Sequence, residues 1–368
     1  VLRVRVLPLV LLLAVSCAGR TDSRSEAQGG QTAAGERSRS EAREQLLRTL
    51  EENMERAAQS PEAAATFRSF ERRQAAALEN MASARFVMAR MNPGAGLGNR
   101  MVALVSAFVL SIATDRALLI EWESYAEPRT HRSLEVSTMS PIETFVELPF
   151  AGDTSAILTS DKDVKAFGWD YRAWQMLHDE RGEDLAALLT EDLRVSLKPR
   201  VVVLSAISHL TQLLVANPHL AAPINGMLGA NPFPAAARYL LAPAPPVRAA
   251  VAKFYLERMA GRGVVGVHLR TIEYMTLGEQ ETALGCARFL AAGGAASVFV
   301  ASDTPAGMIL ARKVLGDGFL RYETVGPGRE GERALLDGWA NVLLLSKADS
   351  IVGTSRSSFA LLAAGLNG

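Results

Sequence analysis

The sequence predicts an α/β protein with two Rossmann-like halves behind a flexible and helical stem, and three observations carry that expectation. The chain has 368 residues, well past the ~250 at which a single core stops growing, so two domains are expected. Hydrophobic residues make up 49% and aromatics 6%, which suits an Ala/Leu/Val-rich core of helices on sheets better than an all-β one. From residue 85 onward, short β-rich apolar runs alternate with helical segments, the order that builds parallel sheets from βαβ units.

Taken in order, Arg3 and Arg5 precede the apolar stretch 6–18. At 13 residues it is shorter than the ~20 needed to span a bilayer and fits the h-region of a secretory signal. Residues 1–18 are therefore expected to be a signal peptide or signal-anchor: cleaved near Ala18, retained, or lipidated on Cys17, since "AVSC" loosely resembles a bacterial lipobox. Residues 19–40 are rich in Ser, Gly, Arg and Glu and cannot repay their ordering entropy. Ala, Glu, Arg and Leu dominate 41–84, and Ser60-Pro61-Glu62 reads as an N-cap with proline at the first helical position. Two exposed helices are expected there, which makes 19–84 a flexible, then helical, stem.

Beyond the stem, 85–90 reads as a strand, 97–114 as a helix and 117–122 as a second strand. A further strand is expected at 200–205, and a proline-rich joint at 240–250 separates a first domain, 85–240, from a second, 241–368. In the second domain 263–270, 296–303, 320–325 and 350–355 are continuous apolar runs, as buried parallel strands are, with helices at 278–292, 305–315 and 331–347.

Lys plus Arg and Asp plus Glu both number 39, so no global field draws nucleic acid and anion binding has to be local. Two cysteines, Cys17 and Cys286, exclude a disulfide framework. The five histidines are scattered, and Asp161-Lys162-Asp163 reads as surface loop, so no metal set is expected. A G-x-S-x-G elbow is absent, which disfavours a hydrolase triad.

Four segments carry chemistry. "GAGLGNRM" (94–101) places glycines at a helix mouth, where backbone N–H groups and the dipole favour an anion. Its spacing is not the dinucleotide fingerprint, and a ligand-free turn with Asn99 as cap and Arg100 in solvent is the competing reading. In "GVHLRT" (266–271), His268 and Arg270 alternate onto one face at a strand end, where ligands of open α/β sheets lie. A guanidinium there grips phosphate, or pairs with a structural carboxylate such as Glu273. "ASDTP" (301–305) reads as a strand end and helix cap, and "GTSRSSF" (353–359) has more hydroxyls than one cap requires. Hydroxyls, one Asp, one His and one Arg at strand ends point to a phosphorylated ligand.

Segments 96–122, 233–255, 264–273 and 339–366 together resemble, in the same order, blocks of the plant-type xyloglucan α1,2-fucosyltransferase family, which is related to α1,6- and protein O-fucosyltransferases. The resemblance covers roughly 92–368 and implies GT-B architecture, with an N-terminal acceptor domain and a C-terminal donor domain. It implies an inverting enzyme that transfers fucose from GDP-fucose to a galactoside of a cell-surface glycan, needs no metal or other cofactor, and sits in the Golgi membrane as a type II protein. On this footing Arg270 holds the donor β-phosphate beside His268, Ser302 and Asp303 contact the nucleoside, and Thr354, Ser355, Ser357, Ser358 and Phe359 line the phosphates. Gly96, Gly98, Asn99 and Arg100 form a cleft-facing loop. Glu273 stands where relatives commonly carry Asp and is a second-layer or base candidate. The family continues past the point matching Gly368 into another strand, so a truncated donor domain is expected. Other readings stay open: another donor on the same fold, a protein O-fucosyltransferase, or a nucleotide-sugar-binding protein without activity.

Overall fold

The computed structural model describes residues 60–91, 95–122, 142–152, 175–178, 181–271, 275–292, 296–322, 332–353 and 357–367. In the first half these form α1 (Pro61–Glu79), β1 (Phe86–Met91), α2 (Leu97–Ala113), β2 (Ala117–Glu121), β3 (Gln175–His178), α3 (Gly182–Thr190), α4 (Leu193–Ser196), β4 (Val201–Ala206), α5 (Thr211–Ala216), α6 (Ala221–Leu228) and α7 (Pro232–Leu240). After the joint come α8 (Pro245–Phe254), running into a π-helical turn, then β5 (Val264–Leu269), α9 (Leu277–Ala292), β6 (Ser297–Ser302), α10 (Pro305–Leu315), α11 (Glu332–Leu345), β7 (Ser350–Gly353) and α12 (Ser358–Asn367).

The first half carries a four-stranded parallel sheet in the order β2-β1-β4-β3, and the second a three-stranded parallel sheet in the order β6-β5-β7. Strand β1 explains why its sequence reads as a continuous apolar run. Phe86 and Met88 pack on one face and Val87, Ala89 and Met91 on the other, all buried, as crossover helices on both sides of a parallel sheet require. Strand β3 escaped the sequence reading because four residues, "QMLH", are too short for a periodicity to show. Of the strand expected at 320–325, Leu320 makes a single parallel bridge to Phe299; 323–325 lie outside the described residues.

Helix α1 corrects the stem. Ser60 accepts a hydrogen bond from the Ala63 N–H at 3.1 Å, as its sequence predicts, but the helix is no exposed spacer. Ala63, Phe67, Phe70, Gln74 and Ala77 are buried, a stripe at helical spacing. Phe67 stacks on Tyr239 of α7 at 4.0 Å and Phe70 meets Phe108 of α2 edge-on at 4.9 Å. The Gln74 amide donates to the Leu118 carbonyl and accepts from the Leu118 N–H, both at 2.8 Å. It thereby satisfies one residue of edge strand β2 as a neighbouring strand would. Phe70→Ala is expected to lower unfolding stability by ~3–5 kcal/mol; an unchanged denaturation midpoint would mean that α1 is a detached stem after all. The other stem helix and the leader lie outside the described residues. Among those described, no helix is long and apolar enough to cross a membrane.

One hydrophobic cluster runs from Phe67 and α2 through α7 to Trp339, Leu345 and Leu362, so the two halves share apolar contact. The joint is pinned to the first half: the Glu147 N–H donates to Ala242 at 2.7 Å and the Ala244 N–H to Phe145 at 2.9 Å. Helix α12, at the end of the second half, packs on α2 and α7 of the first.

Candidate functional site

The site is assembled where β5, β6 and β7 finish and where α2, α10 and α12 begin. Register places His268 of β5 between Ala301 of β6 and Gly353 of β7. Its ring is 3% exposed, stacks on Phe359 at 5.0 Å and has Nδ1 3.0 Å from the Ser357 hydroxyl. Ser357 stands one residue before α12, and its carbonyl accepts the Leu361 N–H at 3.0 Å. His268 therefore ties the end of β5 to the N-terminus of α12.

Arg270 follows β5. Its Nη1 lies 3.1 Å from Asp303 Oδ2, and the two side chains are 26% and 10% exposed. The competing reading pairs Arg270 with a structural carboxylate such as Glu273; Glu273 lies outside the described residues, and the carboxylate the structure shows there is Asp303. Asp303 Oδ1 accepts from the Thr271 N–H at 2.9 Å and the Thr271 hydroxyl at 2.8 Å. Burial pushes the Asp303 carboxyl up, but these two donors, with Arg270 and His268, outweigh it and hold its pKa below the ordinary carboxylate value. Asp303 is thus an anion that anchors one guanidinium nitrogen of Arg270. Thr271 was missed in the sequence, although it adjoins Arg270 in "HLRT". Ser302 and Thr304 serve the backbone: Ser302 Oγ donates to the Thr304 carbonyl at 3.2 Å, and Thr304 caps α10 by accepting the Gly307 N–H at 3.2 Å.

Burial lowers the His268 pKa from 6.5 to about 4, with the Asp303 charge opposing and Arg270 assisting. The imidazole is neutral at physiological pH. Unfolded chain takes up this proton near 6.5 and folded chain near 4, so this contribution to stability is present above 6.5 and lost as pH falls to 4. The loss amounts to ~3 kcal/mol. His209, whose buried ring nitrogens are also pushed to about 4, adds to the same window. Urea titrations across that window should show a shallower stability slope in His268→Gln than in wild type; equal slopes would remove His268 from the account.

The glycine corner contributes through α2. Its N-cap is Gly96, with no side-chain cap, so Gly98, Asn99 and Arg100 form the first turn of the helix rather than a loop, and Asn99 is not the cap. A Cβ on Gly98 would stand 2.8 Å from Ser358 Oγ, 3.1 Å from the Phe359 nitrogen and 3.2 Å from its ring. Glycine lets the N-termini of α2 and α12 touch. Arg100 is corrected in both readings, cleft-facing and solvated: it is 1% exposed, lies 5.7 Å from the Trp122 ring centroid and donates from Nε to the Ala95 carbonyl at 2.9 Å. Burial lowers its pKa to about 10, so it stays charged and braces the glycine corner from inside. Trp122 is 2% exposed and belongs to the core. Trp169, Tyr171, Trp174, Thr354, Ser355 and Arg356 lie outside the described residues.

Two parallel α/β halves, joined through a short connection and meeting across the strand ends that carry Arg270, define GT-B architecture. Over 83% of this chain and 77% of the other, the fold is similar to an Arabidopsis thaliana FUT1 mutant in complex with GDP, with a TM-score of 0.59 and 18% identity. The α1,6-fucosyltransferase NodZ soaked with GDP-fucose gives a TM-score of 0.47 and 15% identity over 77% of this chain and 93% of that one; a fucosyltransferase NodZ from Bradyrhizobium gives 0.45 and 15% over 77% and 92%. No family model and no curated protein matches the chain.

Proposed function

We propose that this protein is an inverting fucosyltransferase that moves fucose from GDP-fucose to a galactoside hydroxyl of a cell-surface glycan. The observation that carries the reading is the Asp303-braced Arg270, two residues after the His268 that meets Ser357 at the start of α12, in a fold similar to that of a GDP-bound protein. As the bond from the anomeric carbon to the β-phosphate oxygen breaks, negative charge grows on the diphosphate and positive charge on the sugar. A fixed guanidinium and helix-end N–H groups oppose the first charge more strongly in the transition state than in the ground state. The acceptor oxygen forms the new bond from the opposite face and loses its proton, for which Glu273 is the carboxylate proposed. With positive charge supplied by the protein, no metal is needed.

Supporting results are a rise in the unfolding temperature with GDP that UDP does not produce, worth ~2.7 kcal/mol when ligand is at a hundred times its Kd. GDP-fucose and a galactoside panel should give products heavier by one fucose, and EDTA should leave turnover unchanged. Absence of any binding heat with GDP overturns the proposal.

A further inference from the structure

A second basic site lies at the opposite edge of the second sheet. Lys347 follows α11 and precedes Ser350, the first residue of β7, whereas His268 and Arg270 stand at the far ends of these strands. With Arg238 from the last turn of α7 and Arg248 of α8, Lys347 lines a cavity of about 60 Å³ under the joint, walled by Leu241, Val251 and Leu343. Arg248 is partly used: Nη2 pairs with Glu147 and donates to the Pro243 carbonyl at 3.1 Å, while its buried Nε has no partner. Among the described residues, neither the Arg238 nor the Lys347 side chain has a carboxylate or hydrogen-bond partner. Burial depresses both pKa values, and Lys347 is pushed further by the like charge of Arg238.

Two half-buried cations that repel each other across a small apolar-walled cavity are an arrangement that a counter-anion relieves. The carbonyl ends of α7 and α11 attract cations, but neither side chain donates to them. We propose that this cavity is an anion site, which takes a small phosphate or carboxylate oxyanion between Arg238 and Lys347, with any short apolar stem along Leu241, Val251 and Leu343. Arg238 belongs to the first half and Lys347 to the second, so a bound anion ties the two together beside the joint.

The test is thermal unfolding of the whole chain in potassium phosphate, potassium butyrate and potassium chloride at matched ionic strength. Phosphate, butyrate or both should raise the unfolding temperature above the chloride control, with butyrate the more effective if the apolar walls are used. Lys347→Gln and Arg238→Gln should each weaken that effect by about tenfold in apparent affinity and leave GDP binding unchanged. In chloride alone each variant should be at least as stable as wild type, because a like-charge pair is gone; a fall would assign the cations to the helix ends and overturn the proposal. Phosphate also suits the Arg270 site, so Arg270→Lys is the control and should keep the anion effect. The proposal equally fails if neither anion stabilises wild type, or if both variants respond as wild type does.

Discussion

For the proposed fucosyl transfer, Arg270→Lys is expected to lower kcat by a hundredfold or more while the unfolding temperature stays near that of wild type. The stability side follows from the pair with Asp303, whose carboxylate is anchored by Thr271; an ammonium at residue 270 still meets it. The activity side follows from geometry. A guanidinium presents a planar fork that grips two phosphate oxygens while one edge rests on Asp303, whereas an ammonium is a point charge that must choose. Losing an electrostatic contact made mainly in the transition state costs ~3–4 kcal/mol. The loss should therefore fall on kcat more than on KM for GDP-fucose. Wild-type turnover in the variant, measured at saturating donor, removes Arg270 from the reaction.

Gly98→Val is expected to destabilise the protein by ~1–3 kcal/mol and to abolish most activity, while Gly96→Ala, at the N-cap of α2, costs no more than ~1 kcal/mol and leaves activity in place. The two glycines stand two residues apart in "GLG", and the sequence cannot tell them apart. A Cβ on Gly96 meets nothing within 4 Å, but one on Gly98 meets Ser358, the Phe359 backbone nitrogen and the Phe359 ring. The Ser358 hydroxyl can rotate away, but the backbone cannot, so α2 and α12 have to move apart. That movement drags Ser357 and Phe359, which hold His268 by a hydrogen bond and a ring stack. Denaturant titration of both variants, with the transfer assay, checks the pair. Should Gly98→Val unfold at the wild-type midpoint, the close approach is not needed.

Much of the fold was legible because parallel strands buried on both faces become unbroken apolar runs. Strands β1, β2, β4, β5 and β6, and helices α2, α9, α10 and α11, lie within a few residues of their sequence expectation. The short β3 was not legible. Nor was the role of α1, whose Ala- and charge-rich composition hides the spacing of Phe67, Phe70 and Gln74. In the site, "HLR" and "SSF" mark the right strand end and helix start, since a charged residue closing an apolar strand is visible locally. That Arg270 pairs with Asp303, and that His268 touches Ser357 across 89 residues, is not.

By itself the sequence determined the two parallel α/β units, their order and the polar residues at the ends of the second sheet, because hydrophobic periodicity and caps act over a few neighbouring residues. Only the tertiary structure decided that α1 covers an edge strand, that Arg100 turns inward under Trp122 and that Gly98 seats α12. Those outcomes depend on which surfaces meet, and burial, close approach and charge pairing between segments far apart in the chain exist only once it has folded.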